Sequence, residues 1–113
     1  MYSYAILTSV VAGLTLFPIS IVRANPAQAS AGVAATFRTK CAMCHGEDGA
    51  GSDVGKSMSV PDLRSQTIQK LSDAELAEAI SNGKGGMPSF KNSLSADQIH
   101  ALVTHIRTLA AKK

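Results

Sequence analysis

Cys41-Ala42-Met43-Cys44-His45 sets two thiols and an imidazole within one short stretch. On a helix, residues i, i+3 and i+4 share a face, so Cys41, Cys44 and His45 all project the same way from one turn. Two thiols at that spacing can reach the two vinyl groups along one side of a porphyrin, with the imidazole that follows lying beneath the iron. C-x-x-C-H is the pattern of covalent haem attachment. Two other chemistries use the same residue types. Zinc needs four ligands, and the remaining histidines, His100 and His105, stand on a predicted helix where five positions turn the rings roughly 140° apart. The stretch from Cys44 to His100 also far exceeds the spacer of a compact zinc finger. A redox-active cysteine pair belongs in a βαβ frame, and no strand alternation surrounds this one.

A second iron ligand has one strong candidate. In Gly83-Lys84-Gly85-Gly86-Met87-Pro88-Ser89-Phe90, glycines let the backbone approach a flat cofactor, and the residue before a proline is biased to an extended conformation. Met87 is that residue, which suits a thioether offered to the iron face opposite His45; the competing role is a core methionine. Met43 lies inside the attachment turn and cannot cross to the other face. Met58 stands in the loop leading to Pro61, on the side of His45, and reads as packing against the porphyrin. A histidine ligand needs an acceptor for its second ring nitrogen, and the carbonyl of Pro61 is the candidate. The cofactor-binding set is therefore Cys41, Cys44, Pro61 and Met58, with His45 and Met87 on the metal.

The elements that position these residues read as helices. Val33, Phe37 and Cys41 recur every four residues, predicting a short amphipathic helix that runs into the attachment turn and stops at Gly46. Glu47 to Val60, with Gly49, Gly51 and Gly55, reads as an irregular loop closed by Pro61-Asp62-Leu63. Ser72 and Glu75 form a capping box with Leu71 and Leu76 as its staple, and Leu76 and Ile80 share a face before Asn82-Gly83 ends that helix. Ser95 and Gln98 repeat the device for a last helix, with Leu94 and Ile99 as staple and Ile99, Leu102, Val103, Ile106 and Leu109 as the buried stripe. No stretch between residues 30 and 113 predicts a strand, so the fold class is all-α with long loops.

The chain opens on an apolar run, Met1 to Val22, closed by Arg23, and Ala27-Gln28-Ala29 has the small-x-small form of a signal-peptidase site. Residues 1–29 read as a cleavable export signal. The run lacks a preceding Lys or Arg, so an uncleaved membrane anchor is the alternative. Setting 29 residues aside from 113 leaves one domain of 84, residues 30–113, whose only aromatic side chains are Phe37 and Phe90. So small a domain commonly recruits a metal, disulfide or cofactor, and a haem would supply the missing apolar bulk. The charge of the whole chain is +3, or +2 without Arg23, which indicates no strong field for nucleic acid or anionic lipid.

Cys41-Ala42-Met43-Cys44-His45-Gly46, Pro61-Asp62-Leu63, Gly86-Met87-Pro88 and Leu102-Val103-x-x-Ile106-Arg107 together resemble the short monohaem class I c-type cytochromes of bacteria and photosynthetic organisms. The resemblance covers essentially all of residues 30–113. It implies the cytochrome c fold wrapped around one haem c, thioether bonds from Cys41 and Cys44, axial His45 and Met87, and Phe37 packed where the first and last helices cross. Similar proteins place an aromatic residue where this chain has His105. A His/Met pair saturates the iron and suits outer-sphere electron transfer. The function that follows is a monomeric, exported carrier, not an enzyme, passing single electrons between a donor and an acceptor protein in the periplasm or another extracytoplasmic compartment. No nucleic acid is involved, and no membrane once the signal is removed. Lys40, Lys84 and Lys91 either steer an acidic partner or are ordinary solvated lysines. The alternatives are a haem sensor or peroxidase-like enzyme, and a subunit fixed in a larger electron-transfer complex.

Overall fold

The structure, a computed structural model, describes residues 19–23 and 25–112. Most of the expected export signal, residues 1–18, lies outside the described residues. Six helices follow in order: α1 (Pro26–Lys40), α2 (Ala42–His45), α3 (Asp53–Ser57), α4 (Gln66–Gln69), α5 (Asp73–Asn82) and α6 (Ala96–Leu109), with a 3-10 turn at Ala110–Lys112. The described residues contain no strand, only an isolated bridge between Lys84 and Met87. The all-α fold class is therefore observed.

α1 starts earlier than the apolar spacing predicts. Asn25 caps it by accepting from the Ala27 N–H, and Pro26 takes the first helical position, where its missing N–H costs nothing. The junction expected after Ala29 thus falls within helical residues. Cys41 leaves helical geometry at φ −120° and separates α1 from α2, and Gly46 at φ +72° ends α2.

Both predicted capping boxes form. The side chain of Ser72 accepts from the Glu75 N–H while the carboxylate of Glu75 accepts from the Ser72 N–H; Ser95 and Gln98 do the same at α6. The Glu75 carboxylate accepts from the Ser72 N–H and also from its hydroxyl, and these two bonds hold it below its ordinary range. The stripe on α6 is buried as predicted, with Leu102 and Leu109 each 1% exposed. It meets α1 on one side and α5 on the other. Phe37 lies at the α1–α6 crossing with its ring centroid 4.9 Å from that of His105, the two planes tilted by 50°. The histidine therefore occupies the aromatic place at that crossing.

α4 and the turn before α5 are fastened to α6 by two side chains. Arg107 donates to the Gln69 carbonyl (3.0 Å), the Leu71 carbonyl (2.6 Å) and the Asp73 carboxylate (2.8 Å). Gln69 donates in turn to the carbonyls of Leu63 (2.7 Å) and Ile106 (3.2 Å). Hydrogen bonds from a charged group to backbone carbonyls are worth about 1.5–3 kcal/mol, more than an exposed ion pair supplies.

The stretch read as an irregular loop contains α3. It ends in a Schellman arrangement: the Val60 N–H donates to the Gly55 carbonyl (2.9 Å) and the Ser59 N–H to the Lys56 carbonyl (3.1 Å). That geometry puts Ser59 at φ +59°, a left-handed conformation that glycine adopts without the clash its Cβ creates. Ser59→Gly should raise unfolding stability by about 0.5–1 kcal/mol, measured by denaturant titration.

Candidate haem site

The attachment turn is α2 together with Cys41, and its backbone is held from outside. The last carbonyls of a helix have no partner within it. Here each one finds a donor: Ala42 receives the Gly46 N–H (2.9 Å), Met43 the Ser52 hydroxyl (2.5 Å), Cys44 the Ser52 N–H (3.0 Å) and His45 the Gly51 N–H (2.7 Å). The Ser52 hydroxyl also accepts from the Gly55 N–H and caps α3. α3 then lies directly on α2. A Cβ built on Gly55 would overlap the carbonyl group of Cys44, so this contact admits only glycine.

On this frame Cys41, Cys44 and His45 are all half-buried, and both thiols are free. Burial pushes the Cys41 thiol up, partly offset by the charge of Lys40, and pushes the His45 imidazole down, toward the neutral form that a metal ligand requires. His45 Nδ1 is buried and makes no hydrogen bond. The bond expected from the His45 ring to the Pro61 carbonyl is therefore not formed, and Pro61 itself is exposed. The reason lies in the loop's route: after Val60 the chain turns so that the Leu63 N–H meets the Gly49 carbonyl (2.9 Å), while Asp62 accepts from the Arg64 guanidinium and N–H.

Met87 sits in a tight turn closed by two backbone hydrogen bonds with Lys84, of 3.0 and 3.3 Å. Gly83, at φ +77°, lies so close beneath that a Cβ there would overlap the Met87 carbonyl. The turn is anchored to the end of α5 through the Phe90 N–H on the Ile80 carbonyl and the Lys91 N–H on the Ser81 carbonyl, both 3.1 Å. Met87 is half-buried and packs with Phe90 against the edge of the core. Of the other methionines, Met43 is 78% exposed and Met58 is 53% exposed. The sequence sets Met58 on the side of His45, but its terminal methyl lies 3.5 Å from where a Cβ on Gly86 would be, next to Met87.

The sequence model of the family described as "Cytochrome C oxidase, cbb3-type, subunit III" matches residues 27–106. Cytochrome c6 of Leptolyngbya boryana is 33% identical over 76 residues, covering 67% of this chain and 87% of that protein. The chain belongs to the class I c-type cytochromes. A second relative of this cytochrome, the cbb3-type cytochrome c oxidase subunit FixP of Azorhizobium caulinodans, is 35% identical over 74 residues, which are 65% of the chain but 25% of FixP. Among solved structures, the KustC0563 c-type cytochrome superposes with a TM-score of 0.64 at 29% identity, covering 67% of this chain and 94% of that one. The fold is thus the cytochrome c fold, and electron transfer by a haem iron is the family's chemistry.

The residues present fit that group. The two free thiols stand three residues apart on a braced backbone, and burial favours the neutral form of the neighbouring imidazole.

The sequence reading missed Ser52 and Gly55, the residues that brace the turn. Ser52-Asp53 is a helix start, but the third helical position is Gly55 where a capping box would have Glu or Gln, so the signal is weak. Gly55→Ala should cost about 3 kcal/mol and lower the fraction of chain that carries haem, read by thermal unfolding and by the ratio of Soret to protein absorbance.

Proposed function

We propose that this cytochrome is an exported, soluble one-electron carrier. Cys41 and Cys44 hold a single haem c by two thioether bonds, and His45 and Met87 are the axial ligands. The observation that carries this reading is the pairing of two independently braced turns: the attachment turn fixed by Gly51, Ser52 and Gly55, and the Met87 turn fixed to the end of α5. Bound haem supplies a ferric–ferrous couple that takes up and gives back one electron. With His45 and Met87 both on the iron, no position would be open to oxygen or peroxide. A methionine ligand raises the potential. Two rigid turns keep the ligand set the same in both oxidation states, which keeps the reorganisation accompanying transfer small.

The partners are a donor and an acceptor redox protein met in an extracytoplasmic compartment such as the periplasm, and the carrier is a monomer. Residues 1–29 serve as the export signal. Among the described residues no helix is long and apolar enough to cross a membrane. Lys40, Lys84 and Lys91 are exposed and supply positive charge for steering an acidic partner. A second reading, a domain fixed beside its partner in an oxidase complex, is favoured by the cbb3-type family match and by the FixP relative.

The ferric holoprotein should show the weak near-infrared band of methionine-to-iron ligation, and the ferrous protein should resist carbon monoxide at neutral pH. Met87→Ala should abolish the band and open the iron to carbon monoxide. Rapid carbon monoxide binding to the unaltered protein would instead indicate a sensor or an enzyme.

A further inference from the structure

The Met87 turn is anchored along one edge only. Its fastenings to α5 come from residues after the methionine: the amides of Phe90 and Lys91, and the Ser89 hydroxyl, which donates to the Ser81 carbonyl (2.6 Å). Among the described residues no backbone hydrogen bond ties Gly85 or Gly86 to another element. The tip of the turn therefore lacks the backbone fastening to a helix that the residues after Met87 have.

A side chain from the other turn reaches toward that tip. Met58 caps the C-terminus of α3, its N–H shared between the carbonyls of Val54 (3.2 Å) and Gly55 (3.0 Å). The left-handed residue that follows, Ser59, turns the chain, and the Met58 side chain stays largely exposed. Its Cε lies 3.5 Å from the position of a Cβ on Gly86, the residue immediately before Met87. α3 is in turn fixed to the Cys44 carbonyl by Ser52 and Gly55. The attachment turn thus carries α3, and α3 carries Met58, whose end approaches the tip of the Met87 turn. Keeping a non-glycine residue in the left-handed region costs about 1–2 kcal/mol, and such strain persists where surrounding structure imposes it.

We propose that Met58 is a positioning residue that latches the tip of the Met87 turn through its contact at Gly86, holding Met87 on the iron. This rests on Met87 being the axial ligand. Met58 itself is not a ligand in this arrangement.

The test uses the haem-loaded protein and its Met58→Ala, Met58→Leu and Met87→Ala variants, with carbon monoxide as the probe. Met58→Ala should keep the near-infrared band yet bind carbon monoxide roughly tenfold faster than the unaltered protein, because the open form of the turn is no longer penalised. Met58→Leu restores bulk and should bring the rate back to within about twofold of the original. An unchanged rate in Met58→Ala, or a Met58→Leu variant as fast as Met58→Ala, overturns the latch. Should Met58→Ala fail to accumulate with haem, Gly86→Ala adds a methyl at ordinary contact distance from Met58. Slower carbon monoxide binding in that variant supports the latch, and an unchanged or faster rate overturns it. A near-infrared band surviving in Met87→Ala and lost in Met58→Ala would overturn the ligand assignment itself. Loss in Met87→Ala with an unaltered Met58→Ala rate would overturn the latch alone.

Discussion

A four-residue helix has no stability of its own. Forming one turn fixes several dihedrals for a single internal hydrogen bond, and every carbonyl at its end is left without a partner. In this cytochrome Gly51 and Ser52 remove that deficit by returning against α2 and donating to the carbonyls of Met43, Cys44 and His45, while Gly46 closes on Ala42. Ser52 also begins α3, so one residue joins the attachment turn to the segment that packs on it. The relative placement of the two thiols and the imidazole depends on this exchange of hydrogen bonds, because α2 offers little else to hold them.

The rest of the chain supports that turn in layers. α1 and α6 cross at Phe37 and His105 and bury the stripe of Leu102, Val103 and Leu109, which gives the attachment turn a fixed base immediately after α1. Truncating a leucine at such a fully buried site typically costs about 2–5 kcal/mol. Arg107 and Gln69 fasten the middle of the chain to α6, which places the start of α5, and the end of α5 places Met87. The two turns assigned to the iron are thus positioned from opposite ends of one helical core, and Met58 is the side chain that spans from one toward the other.

How much of this is legible in the sequence depends on how local the signal is. The capping boxes at Ser72 and Ser95, the stop at Gly83 and the α6 stripe involve residues within one or two turns of each other, and each appears in the structure where the sequence puts it. α3 and α4 are one turn long, too short for hydrophobic periodicity to register, and they are held by tertiary partners that no local pattern reveals. The early start of α1 comes from Asn25-Pro26, a capping signal that sits inside what reads as the end of a targeting segment. The reach of Met58 to Gly86 and the missing bond between Pro61 and His45 are questions of how a loop is routed in space. A single sequence does not encode that routing in any period.

The central claim is that Cys41 and Cys44 carry a porphyrin covalently within this helical frame. The intact mass of the purified protein under denaturing conditions, read beside a pyridine haemochrome spectrum, is the decisive test. The account predicts a polypeptide heavier by one haem, a spectrum of a porphyrin whose two vinyl groups are saturated, and no reaction of either thiol with an alkylating reagent. A colourless, cooperatively folded chain whose two cysteines both alkylate would contradict it.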